Sequence, residues 1–277
     1  MRNLLSAGSA RLWHSKIFWL SCLFLAGATV TAIWTRYSDR LQYGYSSDLD
    51  TAFLGYALFI AFLIPVVCAL FIGADYADGT VRNKVVCGHS RAAVYLSNLI
   101  LCSAASLIMC TAAVAPGLCV GLPLLGGFAM GPTRAVLFFA GVYALSLVWA
   151  ALFTLLAMLV SNRAISVVAA MLLSLTLLAV GTYLEGRLEA RPTIQGYTLT
   201  VNGELALTEE SPNPAYVPEG PVRTTFQFLS DFTPGGQTLQ HINQRAERPE
   251  VLIAYDAVLF ALSTGAGLFL FKRKDLK

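Results

Sequence analysis

Asp75, Asp78, Arg82, Lys84, His89 and Arg91 crowd into residues 75–91 of a chain otherwise poor in charge. Side chains of these types form ion pairs and charge-assisted hydrogen bonds, and a cluster of arginine and lysine can steer and orient an acidic partner. Their spacing does not suit catalysis. The chain has no Gly-x-x-x-x-Gly-Lys-Ser/Thr phosphate loop, no His-Glu-x-x-His zinc motif, no paired-cysteine metal spacing and no Gly-x-Ser-x-Gly nucleophile elbow. The three histidines, His14, His89 and His241, fall in segments far apart in sequence. The expectation is a chain without a catalytic residue, a metal or a cofactor of its own.

A second set of residues lies near the edges of apolar runs. Asp256 falls about 7 Å inside the last run at helical rise, and Arg134 opens an earlier one. Charges at such depth are costly and tend to face the protein interior or water. The pair is a candidate gating or substrate contact; the ordinary alternative is a solvated carboxylate in the headgroup layer. Ala257, Ala261 and Gly265 recur at four-residue spacing in the same run, and small residues in register let helices approach closely in lipid. They are expected to pack within the subunit or between subunits.

The elements that position these residues are apolar. The 277 residues are 56% hydrophobic and 13% charged, with mean hydropathy +0.65, against about 25% charged in soluble domains. A bilayer core takes roughly 20 helical residues, and six runs reach that length, at about 17–35, 53–74, 94–114, 135–160, 164–184 and 251–271. The predicted fold is a single all-α polytopic membrane domain over 1–277 with about six transmembrane helices. The six cysteines lie mostly within apolar runs and none falls in the long polar stretch before the last run, so no disulfide framework is implied. Leu4, Leu5, Gly8 and Leu12 share a side at helical spacing, which suits a short interfacial helix before the first span. Residues 36–50 read as a polar loop. Residues 117–133, rich in glycine and proline and without charge, read as a short re-entrant or interfacial connection. Pro116 marks the end of the third span.

Lysine and arginine set the orientation. With both termini inside, inner segments carry Arg2, Arg11, Lys16, Arg82, Lys84, Arg91, Arg163 and the tail cations, while short outer segments carry only Arg36, Arg40 and Arg134. Residues 77–92 then form a cytoplasmic segment, and 185–250 form a long extracellular loop. That loop alternates around Asn202-Gly203, the pattern of a β-hairpin. Residues 226–232 and 238–245 are expected as short helices about a turn at Pro234-Gly235-Gly236.

The run Asp78-Gly79-Thr80-Val81-Arg82-Asn83-Lys84, followed by Ser90-Arg91 and Tyr95, resembles the segment between the second and third spans of ABC-type-2 permeases. The ending Lys274-Asp275-Leu276-Lys277 is also similar. The sequence departs from the family pattern at Asp75, where glutamate is frequent, and at Asn98, where lysine is common. The resemblance implies a homodimeric permease working with two copies of a separate ABC ATPase subunit, which carries ATP and Mg, in the bacterial cytoplasmic membrane. It implies that residues 77–92 are a coupling helix docking into that ATPase, with Asp75, Asp78, Gly79, Thr80, Val81, Arg82, Asn83, Lys84, Ser90 and Arg91 as the coupling residues. Partners are then the ATPase, a second copy and the lipid bilayer, with no nucleic acid. Within that reading Gly79 and Gly88 bracket about two helical turns, Thr80 caps the start, and Asp75 bonds to the opening backbone. The implied activity is export of a hydrophobic or amphipathic cargo such as a peptide toxin or antimicrobial peptide. The alternative is a membrane sensor whose outer loop binds a ligand without transport.

Overall fold

The computed structural model describes residues 1–44, 49–199, 205–207 and 210–275. A short helix α1 (Arg2–Trp13) precedes α2 (Lys16–Tyr43), α3 (Leu49–Phe53), α4 (Tyr56–Ala77), α5 (Thr80–Val86), α6 (Arg91–Leu125), α7 (Pro132–Leu159) and α8 (Arg163–Glu189). Strand pairs β1 (Thr193–Ile194) with β4 (Ser211–Pro212) and β2 (Tyr197–Leu199) with β3 (Leu205–Leu207) follow, and then α9 (Pro221–Phe232), α10 (Pro234–Ile242) and α11 (Pro249–Arg273). Helices α2, α4, α6, α7, α8 and α11 are each long and apolar enough to cross a membrane. The protein is a multi-pass, almost wholly helical membrane protein.

Local chemistry explains where most helices begin. Ser15, Ser90 and Asn162 cap α2, α6 and α8, accepting from the backbone amides of Phe18, Ala93 and Ala164–Ile165, which satisfies donors that a helix start leaves free. Gly44, in the left-handed region at φ 70°, closes α2. Helix α1 turns Leu4, Gly8 and Leu12 inward, and Gly8 lies against Leu101 of α6, in keeping with its apolar side.

Several expected boundaries move. Residues 36–43 continue α2 instead of forming a loop, because nothing before Gly44 breaks the helix. Helix α6 runs through Pro116 and Pro123 to Leu125, so the predicted connection over 117–133 shrinks to the residues between Leu125 and Pro132. Its glycines are contact points: a Cβ on Gly117 would sit 2.4 Å from Phe53, and one on Gly121 would sit 2.5 Å from Leu49. Their missing side chains let α6 receive α3. The hairpin strands pair with Thr198 opposite Ala206, while Asn202-Gly203 lies outside the described residues.

Pro234-Gly235-Gly236 is the first turn of α10, not a turn between helices. Proline suits that position because the opening amide needs no partner, and Thr233 caps the helix through Gly236 N. Helix α10 packs against α8, α4 and α7, and its fit to α8 is backbone against backbone. A Cβ on Gly235 would lie 1.9 Å from the Leu177 carbonyl oxygen. Main chain cannot swing away as a side chain can. Gly235→Ala is therefore expected to destabilise the chain by about 2 kcal/mol, the usual scale of overpacking, read as a lower unfolding midpoint in detergent. An unchanged midpoint would contradict this contact.

Candidate functional site

Asp75 occupies the last turn of α4 and is 1% exposed. Three groups converge on its carboxylate. Lys84 Nζ on α5 donates to Oδ2 at 2.8 Å, and the Arg11 guanidinium on α1 pairs with Oδ1. Thr80 Oγ1 stands 2.7 Å from Oδ1 and 2.9 Å from the Asp75 main-chain oxygen, so its one proton serves either. The Arg11 guanidinium also covers the Phe71 ring at 4.0 Å, a cation–π contact. Three chain segments thus meet on one buried carboxylate.

This geometry corrects two local expectations. Gly79, at φ 66°, is the N-cap of α5, and Thr80 is its first helical residue, donating back to Asp75. Asp75 takes side-chain donors instead of the amides that open α5. The reason is burial: a sealed carboxylate requires cations or strong donors around it.

The same contacts divide the surface of α5. Val81 is buried at 1% and fixes one face to the bundle. Val85 is half-buried, and Lys84 turns inward to Asp75 rather than outward. Arg82, Asn83 and Val86 face out, with Val86 77% exposed, and Arg82 has no side-chain partner among the described residues. Asp78 is exposed at the C-cap of α4, and Cys87 is exposed at that of α5.

A second knot lies beside the first. Arg91, just inside α6, donates to the main-chain oxygens of Lys272, at 3.0 Å, and Lys274. Lys274 Nζ in turn reaches Tyr76 Oη and the Met158 carbonyl, both at 2.9 Å, and Tyr76 Oη donates to the same carbonyl at 2.6 Å. The ends of α4, α7 and α11 and the start of α6 are tied together there. Arg11, Tyr76 and Met158 carried no signal in the sequence that marked them as partners.

Burial, and then the neighbouring Arg11 guanidinium, push the Lys84 ammonium down to about 8. An unfolded lysine titrates near 10.4. Between about pH 8 and pH 10 the unfolded chain keeps a proton that the folded chain has released, so this group makes stability rise with pH across that window. The unfolding midpoint of the wild type should gain on that of Lys84→Met over this range. Parallel pH profiles would contradict the arrangement.

The membrane-edge charges are not partners of each other. Arg134 is exposed; its Nη2 donates to the Ala246 carbonyl at 3.2 Å, and its guanidinium lies 5.7 Å from the Phe138 ring centre. Asp256 is 1% exposed, and among the described residues neither of its oxygens has a hydrogen-bond partner. The carboxylate is buried in protein and not solvated. The small-residue stripe is likewise reassigned. Ala257, Ala261 and Gly265 are all exposed, with nothing near a Cβ on Gly265, whereas α11 packs through Leu252, Asp256, Ser263, Gly267 and Phe271. Packing of the stripe within the subunit is thereby excluded. Asn98 is buried at 1% with Nδ2 on Met158 Sδ at 3.3 Å, so it faces the core and not the membrane edge.

Among the described residues, no group of three or more histidine, cysteine, aspartate or glutamate side chains is placed to hold a metal. No family model matches the chain, and no curated protein matches it.

Proposed function

We propose that this chain is the permease subunit of an ATP-driven ABC exporter in the bacterial cytoplasmic membrane. Two copies would work with two copies of a separate ATPase subunit that binds ATP and Mg. Both termini and α5 would lie on the cytoplasmic side, as the placement of lysine and arginine favours. The observation that carries the reading is α5 itself: a short helix set between two spanning helices, fastened inward by Val81, Thr80 and Lys84, and displaying Arg82, Asn83 and Val86 outward. A helix of that form is a handle. A push on its outer face would reach α4 and α1 through Asp75, while Arg91 and Lys274 join α6, α7 and α11 at the same end.

Transport would consist of a shift between two arrangements of the spans, with nucleotide state on the ATPase biasing their populations. Each spanning helix contains a long apolar stretch, which suits a hydrophobic or amphipathic cargo such as a peptide toxin or antimicrobial peptide. Reconstitution in sealed vesicles with an ATPase subunit tests the proposal. ATP-dependent movement of an amphipathic peptide is the expected result. Stimulated ATP hydrolysis without movement would favour the sensor reading instead.

A further inference from the structure

At the end of the bundle away from α5, a cleft of about 650 Å³ opens between α8, α9, α10 and the start of α11. Its size is that of a small-ligand site. Among the side chains that line it, Glu185 on α8, Asp231 on α9 and Gln240 on α10 form one connected group. Neutral donors hold them in place. Ser230 Oγ donates to Glu185 Oε1 at 2.5 Å, and Gln240 Nε2 reaches Ser230 Oγ at 2.9 Å and Asp231 Oδ1 at 2.8 Å. Gln227 Nε2 adds a fourth bond, to Asp231 Oδ1 at 2.9 Å.

Glu185 and Gln240 are only 7% and 4% exposed. Yet Glu185 Oε2 and Gln240 Oε1, like Asp231 Oδ2, accept no hydrogen bond among the described residues, and none of these atoms is sealed from solvent. Oxygens of side chains so deeply set can meet solvent only through the cleft. Neither carboxylate has an ion-pair partner among the described residues. Three arginines line the cleft: Arg223 donates to the carbonyls of Val217 and Leu188, Arg245 pairs with Glu189 at the rim, and Arg248 is exposed at the start of α11.

We infer that this cleft binds a primary ammonium group. Three fixed acceptors, two of them carboxylate oxygens, match the three donors of an ammonium, and charge strengthens each bond. Leu188, Val251 and Tyr255 also line the cleft and suit an aliphatic stem behind the charged head. The ligand is therefore an amine carried on an alkyl chain, as in a lysine side chain or a free diamine. This site does not depend on the transport reading, since binding is measured on the chain alone.

The test is calorimetric titration of the purified full chain in lipid nanodiscs. Nα-acetyl-lysine amide should bind, and its Nε-acetylated form should not. Glu185→Gln and Asp231→Asn should each weaken binding about tenfold or more, with unfolding midpoints showing that the variants fold. Cadaverine is the second probe: binding by the diamine alone would assign the site to free amines. A measurement on the wild type needs no variant. Carbodiimide activation should couple the bound amine to Glu185 or Asp231 as an amide, with the urea as leaving group, ahead of the exposed carboxylates, and mass spectrometry reads the added mass. Absence of both binding and amide formation at Glu185 or Asp231 at millimolar amine, or equal affinity for the Nε-acetylated form, would overturn the inference.

Discussion

Asp75→Ala is expected to lower the stability of the chain by about 3 kcal/mol, the low end for breaking a buried ion pair by removing one partner. The low end applies because Lys84 and Arg11 are partly exposed, at 22% and 34% of their side chains, and can turn to water. The effect is asymmetric. Lys84→Met leaves Asp75 with Arg11 and Thr80 and removes an ammonium that burial already disfavours, so it should cost far less. Asp75→Ala instead strands two cations together, while the Thr80 hydroxyl keeps the main-chain oxygen of residue 75. Thermal unfolding of the three proteins in one detergent checks the order: wild type above Lys84→Met, and Asp75→Ala well below both. If Asp75→Ala unfolded with the wild type, the knot would have no structural weight.

Arg82→Glu should behave in the opposite way, leaving the fold intact and removing the proposed partner. Arg82 is exposed and has no side-chain hydrogen bond, ion pair or ring contact among the described residues, and surface substitutions of this kind usually change stability within about 0.5 kcal/mol. If α5 docks into an acidic cleft of an ATPase, reversing the charge places like charges together, at a cost of several kcal/mol. That is about a hundredfold or more in affinity. Co-expression with the ATPase subunit and affinity purification of this chain reads the loss directly. Undiminished recovery of the complex would remove Arg82 from the interface. Lys84 does not belong in the same experiment, because its side chain belongs to the interior knot.

The spans and α5 were readable because they rest on local signals. Long apolar runs separate from polar ones, and Gly79 and Gly88 bracket a short basic segment whatever surrounds it. Boundaries were less legible where tertiary contact outweighs propensity. Gly117 and Pro116 look like a helix end, yet the glycine is where α6 meets Phe53 of α3. Pro234-Gly235-Gly236 looks like a turn, yet proline opens α10 and Gly235 lets it touch the α8 backbone. The inward turn of Lys84 could not be read at all. It depends on Asp75 being sealed from water, and that burial comes from elements distant in the chain. Ala257, Ala261 and Gly265 show the limit of periodicity: spacing placed them on one face of α11, and only packing shows that this face points away from the subunit.

The proposed handle-like role of α5 has a native reporter. Cys87 follows the last residue of α5 and is exposed; Cys119 is the other exposed cysteine, and the remaining four are buried. In a Cys119→Ser chain, a membrane-impermeant maleimide should fail to label Cys87 in intact cells. It should label Cys87 once the membrane is opened, and do so more slowly when the ATPase subunit is bound. Labelling of Cys87 from outside intact cells, or a rate indifferent to the bound ATPase, would contradict the proposed lever.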